Sequence, residues 1–165
     1  MQTLPEALVA EVGRLAGIQA PAHARWTLET VLDALGALVP HPRRDAIAAE
    51  LPAWTAEAFE RRDYDRTLGR EWLLSVVAEG EHVRAGAALE HVEAVLAALH
   101  DHLDEDRFRL LVAELPEDVR DMVPPARSAT RPPPRPIAEP EPPPHTLADG
   151  RPGPSRSIAD AEPER

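Results

Sequence analysis

Residues 27–59 and 91–123 lie on each other without a gap, with ten of 33 positions identical. LETVLDAL (28–35) falls on VEAVLAAL (92–99), Arg43 on Arg107, and AELP (49–52) on AELP (113–116), all at an offset of 64 residues. Upstream the match is weaker, with Leu8 meeting Trp72, Val9 meeting Leu73 and Val12 meeting Val76. An ungapped register across several elements and their connections is hard to obtain by chance. The chain therefore reads as a duplication, about 8–59 and 72–123, joined by the charged segment ERRDYDRTLGRE (60–71). Whatever the first unit folds into, the second must be able to form as well.

The apolar spacing says that each unit is helical. In ALVAEVGRLAG (7–17), Leu8, Val12 and Leu15 recur at helical intervals, and Gly17 stands where a C-cap belongs. Leu28, Val31, Leu32, Leu35 and Leu38/Val39 trace one stripe before Pro40, and Pro42 opens a further helix. Hydrophobic residues make up 43% but aromatics only 4%, so the core must be built from Leu, Val and Ala, which favours helices over a sheet. Proline inside a helix costs about 3 kcal/mol but is tolerated at its first position. Leu51 and Leu115 are thus expected to end one helix and point inward, with Pro52 and Pro116 starting the next. The expected fold is all-α. Each unit has a first helix, a longer central helix and two short helices around AELP. The central stripes (28, 31, 32, 35 and 92, 95, 96, 99) pack about a pseudo-twofold axis.

Composition breaks at Pro124. Thirteen of 19 prolines fall in 124–165, in runs such as RPPPRP (131–136) and EPEPPPHT (139–146), which predicts a disordered, locally polyproline-II tail. That tail reads first as a spacer, although RPPPRP has the spacing that aromatic-grooved Pro-motif readers favour. It holds six Arg and six Asp+Glu, so the formal net charge of −11 belongs wholly to residues 1–123. So negative a surface repels phosphate backbones, and nucleic acid is not expected as a partner. There is no Lys and no Cys, which excludes a Schiff base, a P-loop lysine, a disulfide, a thiolate nucleophile and Cys-ligated metal. No run is long and apolar enough to span a membrane, and the N-terminus lacks a basic n-region, so a soluble cytoplasmic protein is expected.

The opening ALVAEVGRLAG (7–17), the central AVLAAL (94–99) and the closing AELPEDVRDM (113–122) resemble the prokaryotic family called domain of unknown function 2267. The likeness covers about 7–123 and is best over 91–123. The first copy departs from it at PHPRR (40–44) and AWTAEAF (53–59), and the Pro-rich tail has no counterpart. The resemblance implies an all-helical duplicated domain and carries over no catalytic residue or ligand.

The densest polar cluster, HDHLDED (100–106), invites a metal site. On a helix, His100 and His102 point roughly 160–200° apart, and His91 lies about 16 Å from His102 along the axis. Asp104 fits better as an N-cap, with Glu105 and Asp106 in the next first turn. His23, His41 and His82 stand near predicted helix ends. Ser75 has no nucleophile-elbow glycines around it. Glu79/Glu81, Glu90/Glu93 and Asp104/Asp106 read as a solvated acidic face. No catalytic, cofactor-binding or metal residue is therefore assigned, and no cofactor is expected. Trp26, Trp54 and Trp72 are expected to be buried. Trp54 meets Asp118 in the second copy, and an exposed Trp54 would mark a partner patch. The expected function is a non-enzymatic interaction or scaffold module: an acidic body binding another protein, a basic one being compatible with its charge, with the tail as tether or docking strand. The alternative is an enzymatic or ligand-binding site between the repeats, which buried polar residues converging there would favour.

Overall fold

The structure, a computed structural model, describes residues 3–125; the expectations for the Pro-rich tail fall almost wholly outside them. The described residues form eight helices and no strand. These are α1 (Leu4–Ala16), α2 (Pro21–Gly36), α3 (His41–Ala48), α4 (Ala53–Glu60), α5 (Arg70–Glu81), α6 (Ala85–His102), α7 (Glu105–Glu114) and α8 (Glu117–Arg120). The fold is all-α. Pro21, His41 and Ala53 open helices 64 residues before Ala85, Glu105 and Glu117 do.

Local chemistry sets the helix ends. The backbone N–H of Thr3 donates to Glu6 Oε2 at 2.9 Å, closing the start of α1, and Gly17 ends it at φ 69°, a left-handed value that glycine adopts without a Cβ clash. Asp104 caps α7 by accepting the Arg107 N–H at 2.8 Å. The cap of α5 comes from far along the chain: Asp118 of α8 accepts the Arg70 N–H at 2.9 Å. At the AELP corners the expectation is off by one residue. Pro52 and Pro116 are N-caps rather than first helical residues, with ψ of 145° and 149°, and their carbonyls accept the first helical N–H bonds. Leu115 is buried as expected, whereas Leu51 is only half-buried.

Both central stripes are buried to 1% exposure or less. α2 touches α1, α4, α5 and α6, α6 also packs on α1 and α5, and α3 lies against α4 and α7. α2 and α4 approach so closely that a Cβ on Gly36 would stand 1.8 Å from the Phe59 carbonyl oxygen.

One buried group runs against composition rules. Arg44 of α3 has no exposed surface. Its Nη1 donates to the Gly36 carbonyl at 3.0 Å and to the Arg62 carbonyl, and its Nη2 lies 2.8 Å from His41 Nε2. A guanidinium beside the last turn of α2 meets the negative end of the helix dipole, which offsets part of its desolvation. At the position 64 residues on, the chain has Phe108, an ordinary apolar core residue.

Candidate functional site

The histidines and acids that drew attention in the sequence are dispersed by the fold. His100 packs its ring on Phe108, with centroids 4.4 Å apart, and His102 Nδ1 bonds to the Ala98 carbonyl at 2.8 Å. Among the described residues no group of three His, Asp or Glu gathers in a way that could hold a metal ion. Ser75 is exposed on α5. His82 is the C-cap of that helix, at φ 56°.

The solvated-face reading fails at Glu81. Its side chain is 1% exposed and bonds through Oε2 to Nδ1 of His91 at 2.5 Å, and His91 itself is 9% exposed by side chain. The other carboxylate oxygen, Oε1, is buried with no hydrogen-bond partner. The His23 ring on α2 stands nearly perpendicular to the His91 ring, with centroids 6.3 Å apart. Glu81 ends α5 and His91 stands in the second turn of α6, so two short-range helix positions converge only because α5 and α6 pack. An acid–imidazole pair of this kind could pass a proton, but it lies sealed between helices and ties them together.

The surface differs from expectation at one tryptophan. Trp26 is 55% exposed and Tyr64 is 41% exposed, so the default of burial is wrong for the first tryptophan. Trp26, Glu29 and Asp33 follow one face of α2 at intervals of three and four. With Arg61, Arg62 and Gly80 they bound a cleft of about 330 Å³. A second cleft, of about 890 Å³, shares Arg61 and Arg62 and runs past Tyr64 to Trp72. The two arginines are held in place. Arg61 Nη2 donates to Glu29 at 2.9 Å, and Arg62 Nε donates to Asp33 Oδ2 at 2.7 Å with its guanidinium 5.8 Å from the Trp72 ring centre. Asp33 Oδ1 has no hydrogen-bond partner. The connecting loop is fixed as well, by Asp65 accepting both the N–H and the hydroxyl of Thr67 and by the Asp65 N–H donating to the Ala37 carbonyl at 3.0 Å. The Thr67 bonds hold the Asp65 carboxyl below its ordinary range.

Trp54 is neither buried nor fully open. It is half-buried against the core, with Arg25 over its ring at 4.5 Å from the centroid. It forms one wall of a separate groove between α1 and the start of α2, of about 650 Å³.

A family model described as "Uncharacterized conserved protein (DUF2267)" matches residues 6–122. A search of curated proteins finds no match. No helix among the described residues is long and apolar enough to cross a membrane.

Proposed function

The chain belongs to the DUF2267 family, and from that premise we propose that it is a non-enzymatic, cytoplasmic protein-interaction module. Its docking face is the strip Trp26–Arg61–Arg62–Tyr64, where Glu29 and Asp33 neutralise the two arginines, and its partner is a basic protein. The observation that carries this reading is two exposed aromatic rings flanking two arginines already fixed by ion pairs. Tryptophan, tyrosine and arginine are the residue types that dominate binding energy at protein interfaces, and pre-ordered side chains lose less entropy on docking. The net charge of −11 supports a basic partner, because it would steer one toward the body.

The reading includes a duplicated unit with a pseudo-twofold relation between its halves. The 64-residue spacing of the helix starts supports it, as do two crossed ion pairs, Arg43 with Glu114 and Arg107 with Glu50. The rival reading, an enzymatic or ligand-binding site between the repeats, would draw on Glu81, His91 and His23. It is the weaker one because the first two are closed to solvent.

The test is an affinity capture from the native host with the full chain, beside Trp26→Ala and Tyr64→Ala variants of unchanged thermal stability. A basic protein retained by the parent and lost by both variants is the expected result. Equal recovery by all three would remove this face from the function.

A further inference from the structure

The groove beside Trp54 is distinct from the docking face and has a chemistry of its own. Val9, Ala10, Gly13, Ala24 and Trp54 line it, so its walls are small or apolar. Three charged residues stand at it, and two of them have partners. Glu6 is bonded to the Thr3 N–H at 2.9 Å, and Arg14 is bonded to Glu11 at 2.9 Å and again at 2.5 Å. The third, Arg25, lies over the Trp54 ring and has no carboxylate in ion-pair range among the described residues. A guanidinium laid on an indole face keeps its N–H edge free, and that edge matches a carboxylate with two parallel bonds. A volume of about 650 Å³ lies within the range of small-molecule sites.

We propose that this groove binds a small amphipathic carboxylate, its apolar body against Ala10, Gly13 and Trp54 and its carboxylate on Arg25. The short contact selects the anion: Arg14 is ion-paired with Glu11 and the Glu6 carboxylate is held on the Thr3 N–H, so Arg25 is the cation at the groove with no carboxylate partner among the described residues. The negative charge of the whole body opposes any anion at long range, so binding depends on the short contact with Arg25 and on the apolar walls.

Decanoate and its neutral analogue decanol are the probes. In a Trp26→Phe/Trp72→Phe chain the indole emission comes from Trp54 alone. Decanoate is expected to shift that emission saturably, and decanol at least tenfold less tightly. Arg25→Gln is expected to weaken decanoate at least tenfold and to leave decanol unchanged. Ala10 is exposed on α1, so Ala10→Phe fills the groove without entering the core or adding an indole, and should abolish the decanoate signal. Calorimetric titration of the unaltered chain gives the same comparison if the tryptophan substitutions unfold the protein. Equal affinity for decanoate and decanol, or decanoate binding that survives Arg25→Gln, overturns the proposal and leaves a purely apolar docking groove. No saturable binding of either probe overturns it outright.

Discussion

Arg107 of α7 donates from Nε to the Glu50 carboxylate at 2.8 Å, joining the second AELP-bearing segment to the glutamate of the first AELP. Arg43 stands 3.4 Å from Glu114, the glutamate of the second. Both pairs are partly exposed, so each is worth about 0.5 kcal/mol after screening. Glu50→Gln and Glu114→Gln should each lower stability by about that amount in dilute buffer. The loss should largely vanish at high salt, as urea titrations at the two ionic strengths would show. Equal losses at both strengths would mean that packing, not charge, joins α3 to α7.

The Glu81–His91 pair should behave as a buried couple. His91→Ala leaves a carboxylate sealed from water with neither oxygen partnered by the imidazole, and is expected to cost about 3–5 kcal/mol. Replacing both residues with leucine removes the unpaired charge together with its partner, and should cost much less than the single change. Denaturant titration of the three chains decides it. A double variant as weak as His91→Ala would show that the pair's shape, rather than its charge, holds α5 on α6.

Three exposed carboxyls contribute to the acid side of the stability profile. The backbone N–H of Arg107 holds the Asp104 carboxyl below its ordinary value, the Thr3 N–H does so for Glu6, and the Thr67 hydroxyl, more than its N–H, does so for Asp65. A carboxyl with a depressed folded-state pKa contributes stability above its unfolded value, near 4, and loses it as pH falls through the folded value. Stability should therefore decline below about pH 4. Asp104→Ala should be less stable at neutral pH and should show a shallower acid decline. An unchanged acid slope in that variant would detach the cap from the pH response.

His82 closes α5 at φ 56°, in a region that costs a non-glycine residue about 1 kcal/mol. It is exposed and caps the helix only through its backbone N–H, to the Ala78 and Glu79 carbonyls. His82→Gly should raise stability by up to ~1 kcal/mol, visible as an upward shift in Tm, because relief of the strain outweighs the added freedom of the unfolded chain. A lower Tm would show that the imidazole makes a contact worth more than the strain.

What could be read in the sequence is local. Gly17 and Asp104 declare their helix ends because a cap is a relation among near neighbours, and the stripes at 28–35 and 92–99 declare a buried face because the period is helical. Glu81 could not be read this way. Its helix ends in AEGEH, an acidic, exposed-looking string, and the group that pairs with it is His91 on the next helix. Arg44 hides for the same reason: its carbonyl partners, Gly36 and Arg62, lie 8 and 18 residues away. The signal that could have found it is the 64-residue offset, which sets Arg44 against Phe108 and so marks 44 as a core position. Trp26 fails in the opposite sense. A tryptophan in a chain poor in aromatics is read as core, but 26 lies two residues before the stripe and off its face.

Gly36 has the tightest contact of any glycine in the described residues, with the Phe59 carbonyl where a Cβ would be. Gly36→Ala is expected to cost at least about 3 kcal/mol, because a helix backbone rather than a flexible side chain must move. A thermal melt close to that of the parent would show that α4 can shift freely.

That bare α-carbon also limits which sequence can occupy the end of α2. Position 36 corresponds to His100, whose ring packs on Phe108, whereas the guanidinium of Arg44 reaches the carbonyl of Gly36. Gly36 with Arg44 and His100 with Phe108 are therefore matched sets that cannot be mixed. A chimera with the α6 sequence in place of α2 would set an imidazole at position 36, against the Phe59 carbonyl. The two segments align in sequence, but at this contact neither can stand in for the other.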